Sequence, residues 1–125
     1  MFDLAVTTEP DGVVVVGLTG EVDMSTAPRL RQELVRLAAD AAQPPRLVLD
    51  LAGVDLLDTT GIAAILEGVK RCALRDGALH LARPEPQVRR ELNLTRVAEV
   101  LPVHTTLAAA VAAVRASDRE RVDPT

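Results

Sequence analysis

The residues best suited to chemistry stand together in Asp58-Thr59-Thr60-Gly61, a carboxylate followed at once by two hydroxyls. Before them comes the short apolar run Leu47–Leu51, bounded upstream by Pro44-Pro45. After them come Ile62, Ile65, Leu66, Val69 and Ala73 at helical spacing. The run reads as a buried strand and the spacing as an amphipathic helix, so the triplet falls where a helix begins. A helix start offers unpaired backbone N–H groups and a partial positive charge, which suits an anion or a phosphate. The same residue types also cap helices, and an Asp or Thr cap contributes about 1 kcal/mol. The two readings are compatible, since Asp58 can cap while a threonine is modified. At ~100° per residue Thr60 lies almost opposite the apolar stripe and Thr59 at its border. A helical wheel therefore favours Thr60 for exposure, although first-turn side chains project past the helix end.

Other reactive residue types are scattered. Asp23 follows Thr19-Gly20-Glu21-Val22 in what reads as an exposed polar loop, and is either a recognition carboxylate or a turn residue ahead of the first helix. Asp50 and Asp55 invite a metal reading with Asp58, but Asp50 sits inside a strand pattern and no His or Glu converges on them in sequence. No metal is expected. Cys72 is the single cysteine, which excludes an internal disulfide. At the edge of an apolar helix face, with no His beside it, it reads as a small core residue. His80 and His104 are lone residues near strand positions, suited to surface or packing roles. No G-x-x-x-x-G-K loop and no Ser/His/Asp arrangement is present, which argues against an ATPase or hydrolase. Neither a catalytic residue nor a cofactor is expected.

The elements that must position these residues are legible in outline. A chain of 125 residues fits one domain. With 48% hydrophobic residues but one Phe and no Trp or Tyr, its core must be built from Ala, Val and Leu. The lack of aromatic platforms and a formal net charge of −4 argue against nucleic acid as a partner. No basic start with an apolar middle opens the chain, and no apolar run approaches the ~20 residues of a membrane helix. A cytoplasmic protein without a membrane partner is expected, monomeric in dilute solution.

Phe2–Thr8 alternates like an edge strand, Asp11-Gly12 turns, and Val13–Leu18 reads as the second strand of a hairpin. Ser25 or Thr26 can cap a helix carrying Ala27, Leu30, Leu34, Leu37, Ala38 and Ala41 on one face. The Leu47–Leu51 strand and the Thr60–Arg75 helix follow, the latter ended by Asp76-Gly77 as a glycine cap. Ala78–Ala82 is a strand, Gln87–Leu94 a short helix and Val100–His104 a last strand. A final helix, capped by Thr105 or Thr106, turns Leu107, Ala110, Val111 and Val114 inward. Residues 117–125 read as a charged, disordered tail. The order β-β-α-β-α-β-α-β-α predicts an α/β fold with a mixed sheet flanked by helices.

This order of elements, the Gly20-Glu21-Val22-Asp23 segment before the first helix, and Leu57-Asp58-Thr59-Thr60-Gly61-Ile62 after the third strand together resemble the STAS domain family. More narrowly they resemble the bacterial anti-sigma factor antagonists. The resemblance covers about residues 3–116, and residues 1–116 are taken as the domain. It implies a partner switch. In that family the unmodified antagonist binds an anti-sigma factor that is also a serine kinase and so frees the sigma factor. The kinase uses ATP to phosphorylate the hydroxyl just after the motif Asp, the complex dissociates, and a PP2C-type phosphatase restores the antagonist. Carried over, the phosphoacceptor is Thr59, with Thr60 second, and Asp23, Asp58, Thr59, Thr60 and Gly61 form the partner surface. Threonine replaces the family's commoner serine at that position. Some STAS proteins serve instead as scaffold subunits of lipid-transport or sensor complexes, and a small α/β enzyme using Asp58 and Thr59 directly is a third reading.

Overall fold

The computed structural model describes the backbone of residues 1–122 and the side chains of residues 1–117. Among the described residues, five strands and four α-helices follow in the order β1 (Phe2–Thr8), β2 (Val14–Val22), α1 (Ala27–Asp40), β3 (Arg46–Leu57), α2 (Thr59–Ala73), β4 (Ala78–Ala82), α3 (Pro86–Leu94), β5 (Val103–His104) and α4 (Leu107–Val122). A single 3-10 turn, Val97–Glu99, separates α3 from β5. Helix α4 runs past Ser117, where a tail was expected, and residues 123–125 of that segment lie outside the described residues.

The strands form one sheet in sequence order, with β1 antiparallel to β2 and every later pair parallel. Parallel neighbours need crossover connections, and right-handed crossovers that always add the next strand on the same side place their helices on the same face. The side chains of α1, α2 and α3 accordingly share one core with Val16, Leu18, Leu49, Leu51, Leu79 and Leu81. Helix α4 leads to no further strand among the described residues and covers the other face, with Ala110, Val111 and Val114 on Val13, Val48 and Ala82. Thr106 starts it, its hydroxyl accepting from Ala109 N at 3.0 Å. None of the described helices is long and apolar enough to cross a membrane.

Two strands are longer than the sequence pattern indicated. β2 continues through the segment expected to be a polar loop, and β3 continues six residues beyond Leu51 to Leu57. The reason is an irregular ladder. Gly17 pairs with Asp50, Thr19 with Gly53, Gly20 with Val54 and Glu21 with Leu56, so β3 gains an extra residue twice. Each bulge flips the alternation of faces. Leu51, Val54 and Leu57 are buried at a spacing of three, which does not look like a strand when read by period two.

The end of α2 also differs from expectation. The helix closes with Gly77 N donating to Cys72 O at 2.8 Å, as in a Schellman motif, but the left-handed residue is Asp76, with φ of 60°. Gly77 is required for a different reason: a Cβ there would lie 1.9 Å from Pro45 O. At the other sheet edge, Val100–His104 reduces to two strand residues, with Leu101 anchored in the core and Val100 exposed.

His80 and His104, on adjacent strands, place Nδ1 and Nε2 3.1 Å apart with their rings 15° from parallel. One nitrogen must donate and the other accept. Burial, and then the charge of His104, lower the His80 pKa below its ordinary value. Beside them Asp50 holds Arg83 through two hydrogen bonds, of 3.1 and 2.6 Å.

Two outcomes follow. Gly77→Ala should destabilise the fold by about 1–3 kcal/mol or more, since backbone must move to admit the methyl; urea unfolding at wild-type midpoint would contradict this. The lowered His80 pKa means the unfolded chain takes up that proton first. Stability from this group is present above the ordinary histidine value of about 6.5 and lost as pH falls through the lower folded value. His80→Gln should flatten the decline of Tm between neutral pH and about pH 5; an unchanged slope would contradict the assignment.

Candidate functional site

The site is built at the end of the sheet where β2 and β3 finish side by side, Val22 opposite Leu57. From there one chain turns into α1 and the other into α2. Asp58 N donates to Val22 O at 3.1 Å, fixing the start of α2 on the end of β2. Asp58 is extended, with φ −100° and ψ −175°, the backbone of an N-cap residue. Its Oδ1 accepts from Gly61 N at 3.0 Å and from the Thr60 hydroxyl at 2.6 Å. Gly61 is buried under this cap. A Cβ there would come within 2.7 Å of both Leu57 and Val22 side-chain carbons. Of the five predicted partner residues, Gly61 is thus the one that sets the approach of the helix instead of facing solvent.

Asp23 organises the neighbouring turn. Its Oδ1 accepts from Ser25 N at 2.9 Å, the Ser25 hydroxyl at 2.7 Å and Thr26 N at 3.2 Å. Thr26 holds the N-cap position of α1 but makes no side-chain capping bond. Its hydroxyl donates to Glu21 O at 2.8 Å and accepts from Asp23 N at 2.9 Å. The capping role expected of Ser25 or Thr26 is filled by neither side chain; the first helical N–H, that of Ala27, donates to the Asp23 carbonyl at 2.7 Å. Asp-led turns of this kind compete with ordinary caps because the carboxylate reaches the backbone two and three residues on.

Both carboxylates are ionised at neutral pH. The Thr60 hydroxyl, then the Gly61 N–H, hold Asp58 below the usual carboxylate range, while the charge of Asp23 works against them. The Ser25 hydroxyl and N–H do the same for Asp23. The effect of the Asp23 charge places Asp58 within electrostatic reach of Asp23. The two threonines differ. Both are exposed, but the Thr60 hydroxyl proton is committed to Asp58, whereas Thr59 Oγ1 makes no hydrogen bond among the described residues.

The other candidates lie elsewhere. Asp50 faces Arg83, and Asp55 is exposed, its carbonyl accepting from Gln87 at 3.4 Å. Cys72 is fully buried and its thiol is pushed up to about 12 by burial, which leaves no thiolate at neutral pH.

Sequence reasoning missed the apolar rim. Met24 is 76% exposed, and lines an open groove between α1 and α2 with Ala27, Pro28, Thr60 and Ala63. Leu56 and Leu66, at 49% and 38%, are exposed on β3 and α2. Leu66 was placed in the inward stripe of α2, but Ala64, Gly68 and Cys72 take that face because Leu34 and Leu79 pack directly on Gly68. An apolar Met inside the polar turn Asp23-Met24-Ser25 was the available signal.

Residues 5–110 match the STAS domain family. The chain is 27% identical over 103 residues to the anti-sigma-F factor antagonist RsfA of Mycobacterium tuberculosis, covering 82% of this chain and 80% of that one. It is 28% identical over 90 residues to the anti-sigma-B factor antagonist of Bacillus subtilis, covering 72% and 80%. The crystal structure of an anti-sigma factor antagonist from Mycobacterium paratuberculosis superimposes with a TM-score of 0.80 at 32% identity, covering 92% of this chain and 95% of that one.

Because Asp58 caps α2, Asp58→Ala should cost about 1 kcal/mol in denaturant unfolding, while Asp58→Asn, an equally good cap, should stay within a few tenths. A wild-type midpoint for Asp58→Ala would show that the cap carries no stability.

Proposed function

This chain belongs to the STAS domain family, and from that we propose that it is an anti-sigma factor antagonist switched by phosphorylation at Thr59. The unmodified protein binds an anti-sigma factor serine/threonine kinase in the cytoplasm and so frees a sigma factor for transcription. The kinase, holding its own ATP, transfers a phosphoryl group to Thr59 Oγ1, and a PP2C-type phosphatase removes it. The chain itself performs no catalysis and needs no cofactor.

One observation carries this reading. At the start of α2, Thr60 has given its hydroxyl to Asp58, while the exposed Thr59 hydroxyl is uncommitted. A kinase that must position a hydroxyl for in-line transfer meets Thr59 free, and would have to break a 2.6 Å hydrogen bond to use Thr60. The neighbouring groove supplies a docking surface, with apolar Met24 and Ala63 beside charged Arg31 and Glu67.

The switch follows from charge. A phosphate adds about −1.5 to −2 charges at neutral pH. At an exposed helix start the dipole stabilises such charge by about 0.3–1 kcal/mol, so the fold tolerates it. A partner that must desolvate the surface meets an unpaired dianion beside Asp58 and Asp23, and a mismatched buried charge costs about 2–5 kcal/mol. That corresponds to roughly 30- to several-thousand-fold in affinity.

Thr59→Glu should keep the wild-type circular dichroism spectrum and melt within a few degrees of wild type, yet lose most of its affinity for the anti-sigma factor kinase. Thr59→Ala should bind like wild type and resist release by ATP. Calorimetric titration of each variant, with phosphorylated wild type alongside, is the test. Equal affinity for the phosphorylated and unmodified protein would overturn the switch, and absence of binding by unmodified wild type would overturn the antagonist reading itself.

A further inference from the structure

Strand β1 forms one edge of the sheet, and its hydrogen-bond parity can be read directly. Glu21 N donates to Met1 O at 3.1 Å and Glu9 N to Val13 O at 2.8 Å. Antiparallel ladders alternate, so the odd-numbered residues of β1 bond to β2 and the even-numbered ones turn both backbone groups outward. The contact of Arg29 Nη1 with Phe2 O at 3.3 Å fits that parity. Leu4, Val6 and Thr8 thus present an open row of donors and acceptors.

Edges are usually blunted by brevity, by Lys or Pro, or by a bulge. β5, at the other edge, is two residues long. β1 has seven residues, an unbroken register, no Pro, Lys or Arg, and a single charge at Asp3. Val6 is 40% exposed on the face where Phe2 and Leu4 border the core.

We propose that β1 pairs antiparallel with β1 of a second copy of this chain, about a two-fold axis at Ala5. Leu4 then stands opposite Val6 of the other copy and exchanges both main-chain hydrogen bonds with it, twice over, four bonds in all. The Leu4 and Val6 side chains of the two copies meet on one face and cover the exposed Val6 methyls, while the two Ala5 residues meet on the other. Charge selects this register. Centred on Val6, the pairing would set Asp3 against Glu9; centred on Ala5, it sets Asp3 against Thr7. Arg29 already holds the Phe2 carbonyl, so centred on Leu4 the pairing would keep only the Leu4 pair, with two bonds in place of four. The strip is small beside the roughly 1,200–2,000 Å² of a stable interface, so the protein is a monomer when dilute and pairs only in concentrated solution.

The directly opposed Ala5 residues form a non-hydrogen-bonded pair with Cα atoms about 4.5 Å apart, within the range a disulfide spans. Under mild oxidation Ala5→Cys should give a covalent dimer, whereas Thr7→Cys, facing Asp3, should not; the native Cys72 is buried. Sedimentation equilibrium of concentrated wild type should show dimer. Ala5→Lys, which opposes two ammonium groups at an exposed position, should remain the 13.3 kDa monomer with an unchanged circular dichroism spectrum. Wild type that stays monomeric throughout, a dimer that survives Ala5→Lys, or equal cross-linking through Thr7→Cys would each overturn the proposal.

Discussion

Asp58 gives its backbone N–H to Val22 at 3.1 Å, and Gly61 lies where any side chain would strike Val22 and Leu57. Helix α2 therefore begins flush against the end of β2. Much of the site follows from that close approach. It aims the Asp58 carboxylate back along the first turn, where Gly61 N–H and the Thr60 hydroxyl satisfy it. It leaves Thr59, the first helical residue, exposed. It also brings Asp58 under the influence of Asp23, which leaves β2 at the next residue. The approach depends in turn on β2 and β3 staying paired to their ends, and on the buried Val22, Val54, Leu57 and Ile62 beneath.

Much of the fold was legible because local and global signals agreed. Strand β4 and the inward face of α4 carry the pattern that their environment demands, and a single cap residue, Thr106, marks where α4 starts. The extended ends of β2 and β3 were hidden because two bulges break the alternation by which a half-buried strand is recognised. The backbone groups concerned are paired across strands, which no one-dimensional pattern records. At α2, the wheel misplaced Leu66 because it ranks residues by hydrophobicity, whereas the close packing of Leu34 on Gly68 selects for small size. The Asp76 turn was misread for a similar reason: glycine is the usual left-handed residue, but here it is spent on proximity to Pro45.

At the site, sequence supplied the residues and structure supplied their division of labour. Angular position on a wheel favoured Thr60, and the family resemblance favoured Thr59. Both side chains are exposed, so exposure does not separate them. The hydrogen bond from Thr60 to Asp58 does, since it occupies one hydroxyl in holding the cap and leaves the other uncommitted. On the function proposed above, the three-residue motif combines a structural pair, Asp58 and Thr60, with an acceptor, Thr59. The exposed Met24 and the groove beside Thr60 add what neither motif nor wheel contains, an apolar surface next to two fixed carboxylates. Such a surface can be desolvated by a partner, and a nearby dianion would oppose that desolvation without disturbing the fold.

The central claim is the identity of the acceptor hydroxyl. Incubation of the protein with the proposed partner, an anti-sigma factor kinase, and ATP, followed by peptide mass spectrometry across Leu57–Val69, reads it directly. The account predicts one phosphate, on Thr59. Phosphate on Thr60 alone, or on neither residue, would contradict it.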